Sequence, residues 1–311
     1  MPRLRGRIDH AHPCRFISRP PLLPCSAPWR SPAACKCRAL GVRAPPRRFV
    51  RHLVLAPLTC THAVGTFRAQ GPALRAAVAA ALAATPPGEQ LHIDTARTCA
   101  RSACLPLRAL TQGLAQASIY KNEGDLAAAL ARTPRERVFL TSKVSPYEQG
   151  FQAALAATDG ILSRLGVASL DLLLVHWPGV AKAPAASRAN AAARADTWRA
   201  LEAAHAAGKA RALGVSNYTA AHLDELLACC ATRPAVNQVE CHPLLQQAAL
   251  RTACAAADVV VVAYSPLGTG ALLSFPDVVA VASRAQRTPA QVLLRWGLQR
   301  GLTVIPKVHL A

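Results

Sequence analysis

Aromatic and acidic side chains are both scarce in this chain of 311 residues. Phe, Trp and Tyr make up 5%, and 16 acids face 36 Lys and Arg, a formal net charge of +20. No uninterrupted run of about 18 apolar residues occurs, so there is no candidate for a transmembrane helix. The most apolar stretch, Ala76 to Ala84, is far shorter than that. Eleven cysteines are present but no C-x-x-C. Cys35 and Cys37 are separated by one residue, Cys229 and Cys230 are adjacent, and no His/Cys set has zinc-like spacing. This argues against a metal site and against a disulfide framework. The cysteines beyond residue 62 read as reduced thiols in a cytosolic or stromal type of environment, mostly acting as small core residues. A G-x-G-x-x-G fingerprint is missing as well, since Gly268-Thr-Gly270 lacks the third glycine, which argues against a Rossmann dinucleotide site.

The positive charge is unevenly placed. Residues 1–62 hold eleven arginines and one lysine against Asp9 alone, a net +11, which leaves +9 for the rest. An arginine-rich, acid-poor leader with Ser, Pro and Ala fits an organellar transit peptide, for chloroplast or mitochondrion. It fits equally a misassigned start of the gene, in which case the protein is expected in the cytoplasm. Nucleic-acid binding ranks behind both, since only Phe16, Trp29 and Phe49 are interleaved with these arginines.

What is abundant is aliphatic. Hydrophobic residues make up 52% of the chain, enough to bury one large core. From about residue 63, short apolar runs alternate with longer segments of helical period. The strand candidates are Val64–Phe67, Leu91–Ala96, Val138–Val144, Leu170–Trp177, Ala212–Asn217, Ala235–Cys241, Val259–Leu267 and Leu302–Lys307. Their near-continuous Val, Leu and Ile is expected of strands buried on both faces. Thr219 is placed to N-cap a helix with Leu223, Leu226, Leu227 and Cys230 on one face. Thr288 is placed to cap another, with Pro289 at its first position, Val292, Leu293 and Trp296 as its stripe, and Gly301 at its end. Eight strands alternating with helices imply an α/β fold, a parallel (β/α)8 TIM barrel over residues 63–311.

The strands finish in polar or reactive residues: Asp94, Lys143, His176, Ser216 with Asn217, Gln238, Tyr264 with Ser265, and Lys307. Any one of these could be an ordinary loop residue. Together they mark one rim, the C-terminal face on which barrel active sites are built.

Seven strings then carry a resemblance. His92-Ile-Asp-Thr-Ala, Tyr120-Lys-Asn-Glu, Thr141-Ser-Lys, Leu174-Val-His-Trp-Pro, Gly214-Val-Ser-Asn-Tyr, Asn237-Gln-Val-Glu-Cys-His-Pro and Ile305-Pro-Lys resemble aldo-keto reductase motifs, in that family's order, from about Ala63 to Lys307. The resemblance implies reduction of aldehydes or ketones to alcohols by hydride transfer from NADP(H), NAD not being excluded, on a small carbonyl substrate. It implies a catalytic tetrad of Asp94, Tyr120, Lys143 and His176. A free tyrosine has a pKa of about 10, too high for efficient proton exchange near neutrality; the Lys143 ammonium would lower it, Asp94 would hold the lysine, and His176 would polarise the carbonyl. Asp94 and Lys143 also fit a plain rim ion pair, and His176 a satisfied core histidine.

The same resemblance places Ser216, Asn217 and Gln238 on the nicotinamide carboxamide and stacks Tyr264 on its ring. It sets Ser265 and Leu267 along the pyrophosphate, Thr66 against the nicotinamide half, and Lys307 on phosphate. Phe67 and Trp177 are candidate pocket walls, with core packing the other reading of Trp177. Neither a membrane nor a nucleic acid is an expected partner, and no oligomeric state follows.

Two departures stand out. Tyr120 lies 26 positions after Asp94, where the family has five; removing Arg97 to Ala117 restores Asp-Thr-Ala-Ser-Ile-Tyr. The segment reads as an in-frame intrusion or a genuine loop insertion. Its length costs little, since doubling a loop adds only about 0.6 kcal/mol. After Lys307 only four residues follow, so the family's 2′-phosphate grip, last helix and substrate loop are expected to be truncated. The alternatives to a working reductase are a nicotinamide-binding barrel of little turnover, serving as a redox-sensing or partner-binding module, and a mis-spliced product.

Overall fold

The structure, a computed structural model, describes residues 63–66, 69–95, 122–184 and 187–307. The basic leader, Phe67, Tyr120, the segment 97–117 and the last four residues lie outside the described residues.

Eight parallel strands pair in sequence order, each with the next. They are β1 (Ala63–Gly65), β2 (Leu91–Asp94), β3 (Val138–Val144), β4 (Leu170–Val175), β5 (Ala210–Ser216), β6 (Val236–Glu240), β7 (Val260–Tyr264) and β8 (Thr303–Ile305). The helices between them are α1 (Gly71–Ala84), α2 (Glu123–Leu130), α3 (Phe151–Leu165), α4 (Ala189–Ala206), α5 (Ala220–Leu227) and α6 (Ala248–Ala256), with α7 (Pro276–Ala285) and α8 (Pro289–Gln299) both preceding β8. The ring closes where the Gly65 amide donates to the Pro306 carbonyl at 2.9 Å and Gly65 bridges Lys307. A Cβ on Gly65 would lie 3.3 Å from the Ile305 carbonyl oxygen, so glycine lets the first and last strands meet.

Side-chain direction alternates along each strand. One set faces the helices: Ile93, Leu140, Leu173, Val175, Leu213 and Val215 pack with Leu74, Ile161, Trp198 and Leu201. Such fully buried leucines contribute roughly 1.5–3 kcal/mol each. The other set fills the barrel interior with Phe139, Leu172, Leu174, Ala212, Val236, Val262 and Ile305. His92 lies in this interior too, hydrogen-bonded through Nε2 to Thr141 Oγ1 at 2.9 Å and set edge-on against Phe139.

Both expected caps form as capping boxes. Thr288 Oγ1 accepts from the Gln291 amide, and Gln291 closes the box. Thr219 does the same with His222, an imidazole in place of the usual Glu or Gln. Several strands are shorter than their apolar runs. β7 stops at Tyr264 because Ser265 turns to φ 47° and Pro266 has no N–H to give the ladder. Leu267 therefore leaves the strand and packs against Leu272, Val278 and Leu293. β4 ends before His176, and Pro178 follows. Helix α5 ends at Leu227, short of Cys230. Of the described cysteines, Cys241 and Cys254 are buried and burial pushes their thiols up, whereas Cys230 is half-buried and Cys229 exposed. The core role thus holds for two of these four.

Among the described residues no helix is long and apolar enough to cross a membrane, and no cluster of His, Cys, Asp and Glu is placed to hold a metal ion.

Candidate active site

The C-terminal rim is built one residue per strand. Register sets Asp94 of β2 level with Thr141 of β3, so Lys143, two residues on, shares the inward face one step nearer the mouth. Lys143 Nζ lies 2.5 Å from Asp94 Oδ1, and both side chains are buried. The other carboxylate oxygen, Oδ2, accepts from Gln238 Nε2 at 2.7 Å. Gln238 comes from β6, on the far side of the ring, so the contact spans the barrel mouth. Burying an ammonium and a carboxylate carries a large desolvation cost, offset here by close pairing and by the second hydrogen bond.

His176 follows β4 directly and is buried beside this pair of strands; its amide donates to the Val144 carbonyl at 3.0 Å. Asn217, at φ 61°, is one of the few side chains that tolerate the left-handed region. Its Nδ2 donates to the His176 carbonyl at 3.0 Å, and its Oδ1 accepts from the Tyr264 hydroxyl at 2.9 Å. One amide thus ties the ends of β4, β5 and β7. Ser216 Oγ donates to the Gln238 carbonyl at 2.8 Å, adding β6. Burial, together with the Glu240 carboxylate, pushes the Tyr264 phenol up to about 12. Tyr264 therefore stays neutral and hydrogen-bonded near neutral pH, which suits a flat aromatic wall and not a proton donor.

Beneath the rim, His92 is driven down to about 4 by burial, an effect the Lys143 charge reinforces and Asp94 partly opposes. It is neutral under the ion pair and adds no charge to the barrel floor.

On the other side, the Thr66 hydroxyl and amide both donate to the Asp94 carbonyl, each at 3.0 Å. Asn122, 1% exposed, donates through Nδ2 to the Thr66 and Ala69 carbonyls at 3.0 and 3.2 Å. Its Oδ1 accepts from the Thr95 hydroxyl at 3.2 Å. Sequence reasoning gave Asn122 no role. The usable signal was a buried-amide candidate two residues after a tyrosine already singled out, inside a quoted motif.

The structure thus brings Asp94, Lys143, His176, Ser216, Asn217, Gln238, Tyr264 and Thr66 to one rim, with Lys307 at the seam beside Gly65. Trp177 is 46% exposed, so it is a residue of the mouth and the core-packing reading is set aside; its carbonyl accepts from Gln149 Nε2 at 2.6 Å. Tyr120 and Phe67 lie outside the described residues. The Asn217 amide and the Gln238 NH2 are already engaged within the protein, so toward a ligand Gln238 offers its Oε1 as acceptor.

Comparison with known proteins follows the same lines. A family model for the aldo/keto reductase family matches residues 73–310. The chain is 43% identical over 193 residues to a glyoxal reductase of Bacillus subtilis, covering 61% of this chain and 66% of that one. It is 40% identical over 196 residues to a 9,11-endoperoxide prostaglandin H2 reductase of Trypanosoma cruzi, covering 61% and 65%. The chain spans just under two thirds of the length of these curated relatives. The crystal structure of an aldo/keto reductase from Brucella melitensis matches with a TM-score of 0.64 at 31% identity, over 79% of this chain and 82% of that one.

Proposed function

The chain belongs to the aldo/keto reductase family, and from that premise we propose that it reduces small aldehydes and ketones to alcohols with NADP(H) or NAD(H). The observation that carries this reading is the buried Lys143–Asp94–Gln238 cluster, opening on the same rim as His176. A rim ion pair with no further task would not need a third residue reaching across the barrel to hold the second carboxylate oxygen.

The residues present fit a nicotinamide dinucleotide. Tyr264 is a neutral, anchored aromatic face, Gln238 Oε1 is an acceptor beside it, and Lys307 places a cation on the rim near Thr66. A dihydronicotinamide held by these residues would supply the hydride for the carbonyl carbon. The protein's own part is the proton. Tyr120 gives it to the carbonyl oxygen, and the Lys143 ammonium stabilises the phenolate left behind. Asp94 keeps that ammonium charged and fixed, while Gln238 fixes Asp94. His176 donates a hydrogen bond to the substrate oxygen as negative charge develops on it. Trp177 lines the mouth.

The related proteins named for glyoxal and for a prostaglandin endoperoxide differ widely in substrate size, so a test panel includes glyoxal, aromatic aldehydes and long-chain ketones. The test is NADPH oxidation at 340 nm by the full chain and by a chain lacking Arg97–Ala117, each with and without Tyr120→Phe. Turnover abolished by Tyr120→Phe supports the reading. Tight NADPH binding without carbonyl-dependent oxidation in either chain overturns it, in favour of a nicotinamide-binding module of little turnover.

A further inference from the structure

The loop that follows β4 leaves the barrel at its mouth and carries Trp177. Its backbone is held from outside. Five consecutive carbonyls, from His176 to Val180, each accept a hydrogen bond. Asn217 Nδ2 reaches that of His176, Gln149 Nε2 reaches those of Trp177 and Gly179 at 2.6 and 3.0 Å, and Arg194 reaches that of Pro178 at 3.1 Å. Of the five, the Val180 carbonyl alone is satisfied within the loop, by the Ala183 amide at 3.2 Å. On the amide side, Val180 donates to Asn190 Oδ1 at 3.0 Å and Ala181 to the Pro146 carbonyl at 2.9 Å. A connecting segment on the surface can leave such groups to water. Here side chains from three neighbouring segments take them.

Gln149 and Pro146 belong to the loop after β3, so the two loops are stitched to one another. Among the described residues two aromatic side chains are exposed, Tyr147 at 49% and Trp177 at 46%. Each stands on one of these loops. Both loops open on the rim that carries Lys143, near the end of β3, and His176, just after β4. An indole left in water on a fixed backbone is preorganised, because a ligand stacking on it need not order the loop first. We infer that the stitched loops form a preset aromatic edge of the barrel mouth, which selects aromatic aldehydes and ketones, with Gln149 as the positioning residue that sets it. This rests on the carbonyl-reductase reading above. Among the described residues Gln149 Oε1 is buried and meets no donor, so this amide serves the Trp177 and Gly179 carbonyls alone. Arg194 is a second anchor, held in turn by both carboxylate oxygens of Glu225 on α5, at 2.9 and 2.6 Å.

The experiment compares the full chain with Gln149→Met, which keeps the length of the side chain and removes its donors. NADPH oxidation is followed with 4-nitrobenzaldehyde and with glyoxal, which has no ring. Gln149→Met is expected to raise KM for 4-nitrobenzaldehyde about 3- to 10-fold, the scale of one aromatic contact. Its kcat, the KM for glyoxal and the NADPH dissociation constant stay within about twofold. In a Trp177→Ala background the same substitution changes KM for 4-nitrobenzaldehyde less than about twofold, because no indole is left to misplace. A purely structural role would instead affect both substrates alike, in either background. Should Gln149→Met fail to fold, Arg194→Lys keeps a cation for Glu225 and gives up the reach to Pro178. It is expected to show the same split at smaller amplitude.

A second readout needs no turnover. A nitroaromatic ring stacked on an indole quenches its fluorescence. Saturable quenching by 4-nitrobenzaldehyde, taken as the difference between each protein and the same protein with Trp177→Phe, therefore follows binding at Trp177. Its half-saturation should rise in Gln149→Met by the same factor as KM. Equal rises of KM for both substrates, additive losses from Gln149→Met and Trp177→Ala, or quenching that Trp177→Phe leaves unchanged, overturn the inference. Trp177-dependent quenching that Gln149→Met weakens, in a protein that reduces no carbonyl, leaves the aromatic edge standing and removes the reductase reading.

Discussion

Gln238 and Lys143 share one carboxylate: each takes a separate oxygen of Asp94, at 2.7 and 2.5 Å, from strands on opposite sides of the barrel mouth. Their shared acceptor is buried, so the arrangement carries both chemistry and stability.

Removing one charge exposes this. Lys143→Met leaves a buried carboxylate held only by an amide, a loss on the order of 3–5 kcal/mol. The double variant Asp94→Asn/Lys143→Met removes both charges and is expected to recover most of that loss. Urea denaturation of the two singles and the double checks it, the sign of the coupling being decisive. Carbonyl reduction is expected to be lost in all three.

Buried Tyr218 and half-buried Tyr264 set an alkaline limit. Burial raises both Tyr218 and Tyr264, the latter to about 12. A group whose folded value is raised stabilises the fold fully below its unfolded value, about 10, and loses that contribution as pH climbs through the folded value. Stability should therefore fall from about pH 10 upward, and Tyr264→Phe should flatten the part between 10 and 12. Phe also forfeits the hydrogen bond to Asn217, a cost of about 1 kcal/mol visible at neutral pH. Denaturation midpoints measured against pH separate the two effects.

His92 sets the acid limit. Its folded value, about 4, lies below the ordinary 6.5, so its contribution is present above 6.5 and disappears as pH falls toward 4. The full swing is about 3 kcal/mol. His92→Phe should abolish this part of the acid-induced loss. Because its hydrogen-bond partner Thr141 is then left buried with an unused hydroxyl, the variant should also be less stable at pH 8 by about 1–3 kcal/mol.

Asp171 allows a contrast at the far end of the barrel. It accepts from Arg135 at 2.6 Å, Arg211 at 3.1 Å and the Leu140 amide at 2.8 Å. Both arginines are partly exposed and rehydrate when the acid goes, whereas the Leu140 amide is buried. Asp171→Ala is therefore expected to cost about 1–3 kcal/mol and to leave NADPH affinity unchanged. A comparable fall in affinity would mean that the two ends of the barrel are coupled.

The parts that sequence made legible are those with a local cause. Eight apolar runs correspond to eight strands because residues such as Leu172 and Leu173 are buried on both faces alike, and no other element of that length tolerates it. Thr288 announced its helix because a cap, a proline and a glutamine lie within four residues. Strand ends were read too long wherever apolar character outlasted the ladder: Leu267 is apolar for the sake of Leu272 and Val278, and nothing in its neighbours says so. The Asp94–Gln238 contact joins residues 144 positions apart, and the side-chain period that puts both on the inner face does not say that one reaches the other. The importance of Asn122 was hidden for a related reason. Its partners Thr66 and Thr95 come from two other loops, so its environment exists only after the rim has assembled.

The seam at Gly65 bears on how this chain is made. The partner of its amide, the Pro306 carbonyl, lies 241 positions later, and the two strands that meet there each have three residues in the sheet. Emerging at about 5–20 residues per second, the chain must keep its first strand open on one edge for roughly 12–50 seconds before the last one exists. Until then the growing sheet is a curved ribbon with a free edge at each side, and factors that shield nascent chains have that interval in which to act on it.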